Sequence, residues 1–244
     1  MSKVPAVALG FWALKILATT LGEVGGDAVS MSSNLGYLVG TGIFLAIFVV
    51  VAAVQIAAKR FHPYLYWGTI VASTTTGTTL ADFATRSLGI GYPGGSALLL
   101  GLLLVSLLAW RLALGTIDVA SVSTPRAELF YWSTIMCSQT LGTALGDWTA
   151  DTAGLGYVGA AIVFGGLLLA VLVAYLATSV SRTALFWAAF VLTRPLGAVI
   201  GDFLDKPLDA GGLALSRYAT SGILLVLILV GVFFIPQRAA AKAH

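Results

Sequence analysis

Charge is what this sequence lacks most. Of 244 residues only 9% are charged, while 59% are hydrophobic; a soluble domain carries roughly a quarter charged residues. So few charges cannot cover a water-facing surface, and a soluble globular domain is excluded. Cysteine is nearly absent. Cys137 stands alone, which rules out an intrachain disulfide and any Cys-x-x-Cys metal or redox motif. The two histidines, His62 in a basic loop and His244 at the end, do not pair as metal ligands. There is no Walker motif and no nucleophile–base constellation, so the expectation is a protein that is not an enzyme and has no permanent cofactor. No basic run is interleaved with aromatics, which excludes nucleic acid as an indicated partner.

Long apolar runs are abundant instead. Residues Leu35 to Ala58, Ser87 to Trp110 and Thr152 to Ser181 carry no formal charge. Each is long enough to cross a hydrocarbon core of roughly 30 Å as a helix. Near the N-terminus an apolar run is broken by Lys15 and lacks an Ala-x-Ala-like cleavage site, so it reads as a retained first helix rather than a signal peptide.

Aligning the chain on aspartate exposes a fourfold repeat. "TTLGEVGGD", "TTTGTTLAD", "QTLGTALGD" and "RPLGAVIGD" end at Asp27, Asp82, Asp147 and Asp202. Five residues before each lies a glycine: Gly22, Gly77, Gly142 and Gly197. Fifteen before lies a tryptophan, Trp12, Trp67, Trp132 or Trp187, each preceded by an aromatic, Phe11, Tyr66, Tyr131 or Phe186. The aspartates are 55, 65 and 55 residues apart, so the first pair of repeats maps onto the second with an offset of 120. That pattern is the mark of a doubled pair. The repeats run over about 8–60, 63–115, 127–180 and 183–236 of one transmembrane domain.

Each repeat reads as a motif helix ending at the aspartate, a Gly-containing turn, and a plain apolar helix. Spans are expected near 5–28, 35–57, 64–86, 92–114, 128–151, 155–179, 184–204 and 215–236. The expected fold is an all-α polytopic membrane protein: eight transmembrane helices as four parallel two-helix repeats about a pseudo-symmetry axis along the membrane normal. Lys3, Lys59, Arg60, Arg111, Arg126, Arg182, Arg238 and Lys242 all fall at the termini or between repeats. The positive-inside rule then places both termini in the cytoplasm. The tryptophans lie about 22 Å from the aspartates along the helix, at the inner interface, where they read as an aromatic belt.

Positions four apart share one helix face. Stepping back from the aspartates gives Asp27, Glu23, Thr19; Asp82, Thr78, Thr74; Asp147, Thr143, Gln139; and Asp202, Ala198, Arg194. Facing lipid these stripes would be expensive, so they are expected to line an ion or substrate pathway between the helices. Gly22, Gly77, Gly142 and Gly197 are the packing positions that let the motif helices approach closely. Arg194, about 12 Å deeper than the aspartates, is expected to pair with Glu23 or another carboxylate of an adjacent motif helix. Arg194 and Lys15 are the candidates for gating or charge pairing. Thr74, Thr75, Thr76, Thr78 and Thr79 either help coordinate a cation or bond back to their own helix.

The fourfold Trp…Gly…Asp pattern, over roughly residues 8 to 235, resembles a bacterial family of uncharacterised membrane-anchored proteins built from four copies of a membrane repeat of unknown function. The resemblance implies an inner-membrane location and supports the repeat count; it supplies no substrate and no site residue. The residues themselves lead to a secondary transporter of a small ion. A divalent metal cation such as Mn²⁺ is the specific expectation, because hard cations want oxygen ligands. Glu23, Asp27, Asp82 and Asp147 are its candidate metal ligands. The alternatives are a proton-coupled carrier of an anionic or zwitterionic solute using Arg194 and Lys15, and a structural or partner-binding membrane module. The expected partners are membrane lipid and a small ion or solute, with a homo-oligomer left open.

Overall fold

The computed structural model describes residues 2–240, and these form eight long α-helices: α1 (Leu9–Asp27), α2 (Gly36–Ala57), α3 (Pro63–Asp82), α4 (Gly91–Leu114), α5 (Pro125–Asp147), α6 (Gly156–Ala177), α7 (Arg182–Asp205) and α8 (Arg217–Phe234). They fall where the sequence places its eight spans. Five of them, α2, α4, α6, α7 and α8, are long and apolar enough to cross a membrane. The other three, α1, α3 and α5, carry the polar stripes, which lower their hydropathy.

Local chemistry sets the boundaries. Pro63 and Pro125 open α3 and α5 at their first turn, where the missing N–H goes unmissed. The side chains of Thr124, Ser181 and Ser216 accept from the backbone N–H three residues on, capping α5, α7 and α8. The helices α1, α3 and α5 end at Asp27, Asp82 and Asp147, and each runs into a five-residue π-helical turn: Ala28–Ser32, Phe83–Ser87 and Trp148–Thr152. Such turns are rare and concentrate at functional sites. The chain then reverses through paired left-handed residues, Asn34 with Gly36, Gly89 with Gly91 and Gly154 with Gly156. Asparagine and glycine are the residues that adopt this conformation readily. The fourth repeat departs here: α7 continues to Asp205, and a short 3₁₀ turn (Leu208–Ala210) follows.

The motif helices α1, α3, α5 and α7 close into a ring in which each contacts the next and α7 returns to α1. The glycines make this possible. A Cβ on Gly22 would strike Thr74, on Gly77 Gln139, on Gly142 Arg194, and on Gly197 Thr19. At every junction, then, the glycine five before the aspartate receives the residue eight before the aspartate of the following repeat. The outer helices carry the ring one step further. Helix α2 packs on α3, α4 on α5, α6 on α7 and α8 on α1, so each plain helix covers the motif helix of the next repeat rather than its own.

The tryptophans correct the belt expectation. Trp67, Trp132 and Trp187 are only 2%, 3% and 5% exposed. Each packs against the aromatic that precedes the tryptophan of the previous repeat: Phe11 on Trp67 (5.5 Å between centroids), Tyr66 on Trp132 (5.7 Å) and Tyr131 on Trp187 (6.3 Å), with Phe186 on Trp12 (5.8 Å) completing the circle. Burying ring area against ring area outweighs an interfacial position here. Below this circle lie the first and last described segments. Ser2 donates to Val119 O, and Trp67 donates to Gln237 Oε1. Lys3, counted above among the cytoplasmic loop charges, is buried, pairs with Glu128 at 2.5 Å, and donates to Gln55 O and Ile56 O.

Candidate functional site

Four-residue steps down the motif helices define layers, and every residue in them is buried. The aspartates come first. Below them lie Glu23, Thr78, Thr143 and Ala198, then Thr19, Thr74, Gln139 and Arg194. The sequence stripes end there, but the same face continues through Lys15, Ile70, Ile135 and Phe190 to Phe11, Tyr66, Tyr131 and Phe186. Lys15 and the four aromatics stand out in the sequence for their charge and their place beside the tryptophans; Ile70, Ile135 and Phe190, apolar on apolar helices, do not, though they share the register.

Arg194 holds the centre. Its Nη2 donates to Glu23 Oε2 on α1 at 2.9 Å, to the Thr78 hydroxyl on α3 at 2.6 Å, and to the Thr143 hydroxyl on α5. One nitrogen of α7 thus touches an oxygen from each of the other three motif helices, which places it on the axis of the ring. The local sequence explains how. The Arg194 stem lies on the bare surface of Gly142, and Ala198 offers no side chain in the layer that the guanidinium enters. Arg194 is 0% exposed, so the Glu23 carboxylate balances a fully buried charge.

Around this centre most of the threonines satisfy the backbone. Thr75 and Thr76 donate to Val71 O and Ala72 O, Thr79 to Thr75 O and Thr76 O, and Thr19 to Lys15 O, Ile16 O and Thr193 O. Thr78 and Thr143 alone reach the guanidinium. Lys15 sits 3.9 Å over the face of Phe190 and has no hydrogen-bond partner.

The four aspartates are brought together at the end of the ring opposite the aromatic circle and clasped in pairs. Arg86 bridges Asp82 (3.0 Å) and Asp147 (3.3 Å). Lys206 bridges Asp27 and Asp202, the latter at 3.0 Å. Each cation stands four residues after an aspartate of an even repeat, and 86 and 206 differ by the same 120 that relates the repeat pairs. Burial acts to lower the proton affinity of Lys206, but Asp202, Asp27 and Asp205 outweigh it, and Lys206 is held above its ordinary range. Arg217 pairs with Asp205 and lies 3.8 Å from Asp27. Asp147 and Asp151, a candidate carboxylate pair by spacing, go separate ways: Asp147 to Arg86, and Asp151 to the Tyr92 hydroxyl at 3.4 Å.

Two carboxylate groups have the spacing a metal ion needs. Oxygens of Glu23, Asp147 and Asp202 lie within 4.8 Å of one another, as do those of Asp27, Asp202 and Asp205. Of the four ligands expected from sequence, Glu23 and Asp147 share the first group, Asp27 belongs to the second, and Asp82 is in neither. Asp202 belongs to both.

A ring of four repeats with a polar, charged axis and an apolar outer surface defines a helical membrane protein built from an internal repeat. The chain belongs to the family described as Repeat of Unknown Function (DUF347), which matches it four times, over residues 10–61, 65–116, 130–181 and 185–238. No curated protein and no solved structure matches it.

Proposed function

We propose that this protein is a secondary transporter of a small cation across the bacterial inner membrane, with a divalent metal such as Mn²⁺ as substrate. In this reading all eight helices span the bilayer, the four repeats run parallel about an axis along the membrane normal, both termini are cytoplasmic, and the aspartates face outward. The observation that carries it is the single Arg194 nitrogen held by oxygens from α1, α3 and α5. A carboxylate and two hydroxyls converging from three helices form an oxygen shell of the kind a hard cation takes. The arginine fills it as a tethered cation. Glu23 also belongs to the trio with Asp147 and Asp202, so a cation entering from the aspartate layer and Arg194 compete for the same carboxylate. A fixed guanidinium on the axis excludes an open cation channel. It suits a carrier in which the arginine leaves as the substrate arrives.

Metal flux into proteoliposomes tests this, with wild type compared against Glu23→Gln and Arg194→Gln. Mn²⁺ flux in wild type that Glu23→Gln abolishes supports the reading. Absence of flux in wild type, with the protein folded, removes it and leaves a structural membrane module. A second reading, a proton-coupled carrier of an anionic or zwitterionic solute, is favoured by the unpartnered Lys15; solute flux lost in Arg194→Gln would put it in first place.

A further inference from the structure

The inner half of the axis is rich in donors and poor in anions. Lys15 Nζ, Arg194 Nε and Nη1, the Gln139 amide, and the hydroxyls of Thr74 and Ser138 are all buried without a hydrogen-bond partner. The three nitrogen-bearing side chains come from three helices, in two adjacent layers of the same inward face. Lys15 of α1 lies on Phe190, which is one turn below Arg194 on the same face of α7. The Arg194 stem lies on Gly142 of α5, and Gln139 is one turn below Gly142. Among the described residues no carboxylate offers a partner at this depth. Glu23, the deepest acid of the stripes, is two turns above Lys15 and bound to Arg194 Nη2. Glu128, toward the inner end of α5, is taken by Lys3. The hydroxyls of Tyr66 and Tyr131, in the layer below Lys15, are spent on each other at 2.6 Å.

We propose that a small inorganic anion of halide size binds between Lys15 and Arg194, with the Gln139 amide as its third donor. Glu23 balances Arg194, but a protonated Lys15 has no counter-ion and both groups have unmade hydrogen bonds, which is costly in a low-dielectric interior; an anion supplies the charge that Lys15 lacks and acceptors for both. Ile70, Ile135 and Phe190 make the remaining floor of the site apolar, which suits a weakly hydrated ion such as chloride or bromide. The site uses Nε and Nη1 of Arg194, while Nη2 holds the oxygen shell; it rests on the second reading above only if the bound anion is itself the solute carried.

The test is thermal unfolding of the full-length protein in detergent, with chloride or bromide exchanged at constant ionic strength for gluconate, which is too large to enter. Wild type should show a saturable rise in unfolding temperature with halide, as for any ligand that binds only the folded state. Lys15→Met should abolish the rise, and Gln139→Leu should shift it to higher halide concentration. Glu23→Gln, which strips Arg194 of its counter-ion, should strengthen the halide response while abolishing Mn²⁺ flux, which separates this site from the proposed metal pathway. Equal unfolding temperatures of wild type in halide and gluconate would overturn the proposal without reference to any variant, as would an unchanged halide response in folded Lys15→Met.

Discussion

Arg194 donates to Glu23 across 2.9 Å, with neither group reached by solvent. Removing one partner of a buried ion pair costs more than removing both, because the survivor keeps its desolvation penalty. Glu23→Gln should therefore destabilise the protein by about 3–5 kcal/mol. Glu23→Leu with Arg194→Leu together should recover most of that loss while remaining inactive in metal flux. Thermal unfolding of the two single variants and the double variant measures the coupling.

The ring junctions predict a sharp contrast among glycines. Gly142→Ala places a methyl against the Arg194 stem and the Pro195 ring, and overpacking of this kind costs about 1–3 kcal/mol. It should also push the guanidinium off the axis and reduce flux. Gly101→Ala on α4 meets nothing within 4 Å. There the change should be neutral or slightly stabilising, since alanine is the better helix former. Unfolding temperatures of the two variants check this directly.

Much of this arrangement was legible in the sequence because a four-residue period on a helix is a geometric fact. The register of Gly22, Gly77, Gly142 and Gly197 and the inward stripe follow from it, as does the need of Arg194 for a carboxylate on an adjacent motif helix; the structure selects Glu23 among the candidates. What the period does not carry is the neighbour. Nothing in the spacing says that α2 covers α3 instead of α1, or that Trp67 turns onto Phe11 instead of toward lipid. Those choices belong to the closed ring, where aromatic area is buried between repeats. The outer clasp was half visible: Arg86 and Lys206 share the offset of the repeat pairs, but only packing shows each one bridging two aspartates. Lys3 shows the limit of a counting rule, since a charge assigned to the cytoplasmic loops is buried against Glu128.

The clasp at Lys206 has a defined pH behaviour. Its proton affinity is raised by Asp202, Asp27 and Asp205 against the opposing effect of burial. A cation whose folded-state value is raised contributes its full stability below the ordinary lysine value of 10.5, and loses it only as pH rises through the folded-state value. On the alkaline side, unfolding temperature should therefore show no loss from this group up to about pH 10. Lys206→Met should lower stability across that whole range and leave Asp202 without its cation and Asp27 with only Arg217 at 3.8 Å, so that added Mn²⁺ raises the unfolding temperature more than it does in wild type. An unchanged metal response would mean that the clasp does not compete with metal for these carboxylates.

At the end of the ring away from the aspartates, repeats two and three place Tyr66 and Tyr131 where repeats one and four place Phe11 and Phe186. The two hydroxyls lie 2.6 Å apart and fully buried. Tyr66→Phe leaves the Tyr131 hydroxyl unpaired, which costs about 1–3 kcal/mol. Adding Tyr131→Phe removes the stranded group and turns the layer into four phenylalanines, a residue the ring already accommodates at two of its four positions. The double variant should therefore be more stable than Tyr66→Phe alone. If the hydroxyl pair also helps close the inner end, both variants should transport faster than wild type at equal protein density, and unfolding and flux measured on the same preparations separate the two effects.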